Sequence, residues 1–83
     1  MNLYLLTHDK ELGFDAYVSA VVCAKSEEEA KTIHPSGSAI IVGTAIEEWD
    51  EWLENTEDIK AELIGIAADN IKKGVVHYYF HHG

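Results

Sequence analysis

At 83 residues the chain can build one small core and not two, because chains divide into separate domains only well above ~200 residues. Its composition, 47% hydrophobic and 25% charged with one proline and one cysteine, is that of an ordinary globular domain; it excludes a disordered tail, a collagen-like repeat and a disulfide scaffold. Fifteen acidic residues against six lysines and no arginine give a formal charge of −9, which argues against direct nucleic-acid binding and against adhesion to anionic lipid.

The lysines stand apart at positions 10, 25, 31, 60, 72 and 73, so no basic patch can be drawn. A partner attracted by charge would be a basic protein or a cation; the plainer alternative is that the acidity only keeps a small protein soluble. The longest strictly apolar stretch, Ala20 to Ala24, falls far short of the ~20 residues of a membrane-spanning helix. Met1-Asn2-Leu3-Tyr4 lacks the basic start and apolar core of a signal peptide. A cytoplasmic location is the expectation.

In chain order, Asn2-Leu3-Tyr4-Leu5-Leu6-Thr7 is short, apolar and aromatic, which suits a buried strand. The polar stretch His8 to Gly13 reads as a turn, and Tyr17, Val18, Val21 and Val22 make Asp15 to Ala24 a second strand. The short connection allows an antiparallel hairpin. Cys23, near the end of that strand with no histidine beside it, reads as a small buried apolar residue rather than a nucleophile. Ser26-Glu27-Glu28-Glu29 is a capping box with its acids at the positive end of the helix dipole. Pro35 and Gly37 limit that helix to a brief one, with Ala30 and Ile33 inward and Glu28 and Lys31 outward. His34 reads as a solvated helix end.

Ala39-Ile40-Ile41-Val42 is a β-branched run that predicts a third strand, and Thr44 with Glu47 makes a second capping box. From Ala45 to Glu54 an apolar face of Ala45, Trp49, Trp52 and Leu53 predicts a helix. Its opposite stripe is Glu47, Glu51, Glu54 and Asp58. Residues 47 to 62 hold eight acids and one lysine, a local charge of −7. Residues 57 to 73 fit either a helical face or an alternating strand, and periodicity does not decide. The strand reading is adopted for 59 to 66. It pairs as an antiparallel hairpin with Val75 to Phe80, burying Ala61 and Leu63 and leaving Lys60 and Glu62 wet.

Three stretches carry a resemblance: Leu3-Tyr4-Leu5-Leu6-Thr7; Tyr17 through Ala30 to Ile33-His34-Pro35; and Asp58 to Gly65 with Lys73-Gly74-Val75-Val76. Together they resemble a family of small proteins encoded in bacteriophages and prophages. The likeness covers roughly two thirds of the chain, and its most specific part is the strand–helix joint ending in Ile33-His34-Pro35. It implies an extended strand at Leu63-Ile64-Gly65 and a phage-type accessory protein. It transfers no catalytic residue, because the family carries none. Residues 38 to 56 depart from the family pattern, as does the ending Tyr79-Phe80-His81-His82-Gly83, where the family closes on Ser-Phe-Asn-Ala-Gly.

The candidate chemistry is sparse. His77 and His81 lie four apart in a strand, hence on one face but ~13 Å apart, too far to share an ion, and His82 points away. No metal or other cofactor is expected. Thr7-His8-Asp9 sets a histidine beside an acid, yet no nucleophile motif or phosphate loop organises them, so no enzymatic activity is expected. The row Glu47, Glu51, Glu54 and Asp58 is the feature with most functional content: carboxylates at one-turn intervals can imitate a phosphate backbone. These four and Trp52 are the candidate partner-binding residues, against the plainer reading of a solvated face over core tryptophans. The expected fold is an α+β single domain: an antiparallel sheet of four or five strands in the order β-β-α-β-α-β-β, with one or two short helices on one face. The expected function is a non-enzymatic protein-binding factor, its alternative a small structural or oligomeric module.

Overall fold

The structure, a computed structural model, describes residues 1–10, 16–37, 52–53 and 55–81. Four strands, β1 (Asn2–Thr7), β2 (Ala16–Ala24), β3 (Lys60–Ile66) and β4 (Gly74–His81), form one sheet in the order β3-β1-β2-β4. Every neighbouring pair is antiparallel. A five-residue helix, α1 (Glu27–Lys31), and a 3-10 turn, Thr56–Asp58, are the helical segments of the described residues. The architecture is mostly sheet.

The β1–β2 hairpin forms as expected, with Tyr4 opposite Val22 and Leu6 opposite Ala20. Those four residues, with Ala24, face one side of the sheet, and Ala30, Ile33, Trp52, Leu53 and Ile59 close over them as a single core. Leu6 and Val22 are fully buried at its centre. Alternation within β1 and β2 leaves Leu3, Leu5 and Val21 on the opposite side, half-buried.

The Ser26 capping box is present. Ser26 Oγ accepts from the Glu29 N–H at 3.2 Å, and Glu29 Oε1 reaches back to the Lys25 N–H at 2.9 Å. The helix ends before Pro35, with Ala30 completely buried as expected. Its last turn is held by Thr32, whose Oγ1 donates to the Glu29 carbonyl at 2.6 Å.

Three expectations are corrected. Residues 59 to 66 and 75 to 81 are both strands, but they do not pair: β3 lies outside β1 and β4 outside β2, at opposite edges. A lone hairpin leaves two open edges, and this arrangement covers both. The seven-residue connection 67–73 passes across the end of the hairpin, tied down where the Ala67 N–H donates to the Met1 carbonyl at 2.9 Å. Seven extended residues reach more than ~20 Å, and three strand spacings are only ~14 Å. Secondly, Leu63 is 59% exposed rather than buried, because on an edge strand it has a neighbour, Tyr4, on one flank alone. Thirdly, His34 is buried, not a solvated helix end. The expected strand at 39–42 lies outside the described residues, as does the expected helix from Ala45 to Glu54 apart from Trp52 and Leu53. Those two residues are not helical.

Candidate functional site

Of the five candidate partner-binding residues, Glu47, Glu51 and Glu54 lie outside the described residues, and the other two do not share a surface. Trp52 is 5% exposed and belongs to the core, which corrects its placement among surface contacts. Its indole meets the His8 ring edge to face, with centroids 5.2 Å apart. Its buried Nε1 has no hydrogen-bond partner among the described residues. His8 is itself fixed at both nitrogens: Nδ1 accepts from the Lys10 N–H at 3.1 Å, leaving Nε2 as the donor toward the Tyr17 carbonyl at 3.4 Å. His8 thus packs against Trp52, with both ring nitrogens directed at backbone groups. Asp58 stands at the end of the 3-10 turn, half-buried, with Lys10 Nζ 3.8 Å from its carboxylate.

The capping acids of α1 join Asp58 on the same side of the sheet. Glu27, Glu28 and Glu29 form the first turn of α1, and Glu57 and Asp58 lie in the 3-10 turn; both segments pack on the core side. Glu27, Glu28 and Glu57 are exposed. Lys31 approaches Glu27 at 3.5 Å and Lys73 approaches Glu29 at 4.0 Å. Ion pairs this exposed are worth at most ~1 kcal/mol and leave the local potential negative. The Ser26-Glu27-Glu28-Glu29 run was the available signal, and its capping role hid it.

A second polar cluster surrounds His34. Nδ1 accepts from the Ser36 N–H at 3.1 Å and lies 2.7 Å from Ser36 Oγ, while the ring stands edge-on to Tyr17. A serine hydroxyl on a histidine nitrogen is raw material for nucleophilic chemistry. Here both contacts come from a residue two positions on, and the Gly37 N–H closes the same turn onto the His34 carbonyl at 3.0 Å. The geometry is that of a turn locked by its own side chain. Tyr17 then links it to β4 through Tyr78 and Phe80, at centroid distances of 5.2 and 4.8 Å.

The opposite side of the sheet differs in character. Glu62, Leu5, Val21 and His77 form one row across all four strands; Lys60 beside Thr7 and Ser19 beside Tyr79 form the next. No described helix or turn packs on these rows. Cys23, the free cysteine, is fully buried at the end of this side, its Sγ 4.0 Å from the Ile71 carbonyl. His77 and His81 are exposed strand residues, and no cluster of three potential metal ligands occurs among the described residues. No described helix is long and apolar enough to cross a membrane.

No protein-family model, curated protein or solved structure matches this chain.

Proposed function

We propose that this protein is a non-enzymatic, acidic accessory protein of phage type that binds a basic protein of its host or of a host defence system in the cytoplasm, inhibiting it by imitating a nucleic acid. The observation that carries this reading is the charge on the core side: five carboxylates lie on α1 and the 3-10 turn, and exposed ion pairs with Lys10, Lys31 and Lys73 engage three of them. Glu47, Glu51 and Glu54, in the chain segment between those two elements, add to the same acidic sequence window. The resemblance of Ile33-His34-Pro35 and its flanks to phage-encoded proteins supplies the setting.

The test is affinity capture from a bacterial lysate, followed by binding kinetics with the captured protein. A single basic protein should be retained at low salt. It should be lost when Glu27, Glu28, Glu47, Glu51, Glu54 and Glu57 become Gln and Asp58 becomes Asn, changes that keep size and remove charge. Undiminished binding by that variant would reduce the acidity to a solubility device and leave the structural-module alternative in its place.

A further inference from the structure

We infer that the side of the sheet opposite the core, on which no described helix or turn packs, is a self-association surface, where a second copy of this chain packs face to face about a two-fold axis running along the strands. The molecule carries −9, yet the two rows on this side contain one carboxylate, Glu62, and one ammonium, Lys60, for a formal sum of zero. A second copy would be repelled from the acidic core side and not from here. A basic partner has no reason to choose this side.

The rows are also complementary to themselves. A two-fold axis parallel to the strands and midway between β1 and β2 exchanges β3 with β4 and β1 with β2. Glu62 of one copy then lies over His77 of the other, and Leu5 over Val21. In the next row Lys60 lies over the Tyr79 ring, a cation over an aromatic face, and Thr7 over Ser19. At the far end Cys23, whose Sγ lies 4.0 Å from the Ile71 carbonyl, is exchanged with Leu3 by the same axis. Both edge pairs are opposite in kind, the centre is aliphatic, and each contact occurs twice, as an isologous interface requires. Aligned sheets pack ~10 Å apart with their strands about 30° off parallel, a spacing these side chains span.

Area sets the strength. Four strands ~4.8 Å apart and two rows ~6.8 Å apart give roughly 260 Å² per copy, about a third of what a standard stable interface supplies. The dimer is therefore weak and concentration-dependent.

The experiment is sedimentation equilibrium from ~10 μM to ~1 mM, concentrations that bracket so small an interface. The mass of the native protein should climb from 9.2 kDa toward twice that value. His77→Glu sets two carboxylates against each other and should weaken association about tenfold or more, as should Glu62→Lys. Both residues are exposed, so the fold is retained, and near-ultraviolet circular dichroism checks it. The double variant Glu62→Lys with His77→Glu sets opposite charges over one another and should return association at least to the native level. Independently of any variant, methyl resonances of Leu3, Leu5 and Val21 should shift with concentration. A native protein that stays monomeric throughout overturns the inference. So does a dimer indifferent to His77→Glu, or a double variant no better than either single one.

Discussion

Ser26 shows how much a single side chain settles here. Its hydroxyl satisfies one otherwise orphaned N–H of a five-residue helix that cannot stand on propensity alone. Ser26→Ala should lower stability by about 1 kcal/mol, read as a shift in denaturant midpoint with unchanged slope, and Ser26→Asp should recover most of it. Leu6, fully buried between β2 and β3, is the opposite case: Leu6→Ala should cost about 2–5 kcal/mol through lost burial and a residual cavity. Gly74, with φ +138° and buried opposite Cys23, opens β4 in a conformation L-residues rarely adopt; Gly74→Ala should cost about 1–3 kcal/mol by the same midpoint measurement. Ser26 and Ala30 were legible in the sequence because capping and helical spacing are local rules. His34 was not. Its burial depends on Tyr17, seventeen positions earlier in the chain, and on Ser36 supplying two contacts to a ring that looked solvated. Trp52 divides the same way: its apolar spacing marked it as core, and the acids around it suggested a surface.

Among the elements, β1, β2 and α1 follow from alternation, turn residues and the capping box. The strand character of β3 follows from alternation too, but its neighbour does not. Alternation says which residues share a side and nothing about which strand lies next door. The short polar connection 67–73 suited a hairpin; it serves equally well to cross the end of one. Hydrogen exchange distinguishes the two arrangements. Amides of β1 and β2, flanked on both sides, should be the slowest in the molecule. In β3 and β4 every second amide points away from its single described neighbour and should exchange markedly faster. A uniformly protected β3–β4 pair, slower than β1, would contradict the sheet order. Bulges mark both outer strands, between Leu3 and Tyr4 against β3 and between Val21 and Val22 against β4, a common way of discouraging edge-to-edge pairing.

For the molecule as a whole, charge and topology are the consequential properties. Charge was fully legible: the count of fifteen acids needs no structure, whereas the placing of five of them on α1 and the 3-10 turn needed the fold. Binding of a basic partner should be fast at low salt and slow several-fold or more by physiological ionic strength, where the screening length falls to ~8 Å; stopped-flow association rates across a salt series measure it. A rate that ignores salt would remove electrostatic steering from the account. The sheet order also has a mechanical consequence. β1 and β4 run in the same direction with β2 reversed between them, so Asn2 lies at one end of the sheet and His81 at the other. Tension between those two residues acts along the strands and shears both intervening ladders, whose hydrogen bonds lie perpendicular to the pull and must yield together. Tension between Asn2 and Ile66, register partners at one end of neighbouring strands, instead peels the β1–β3 ladder open bond by bond. The same small domain is stiff along one pair of handles and compliant along the other.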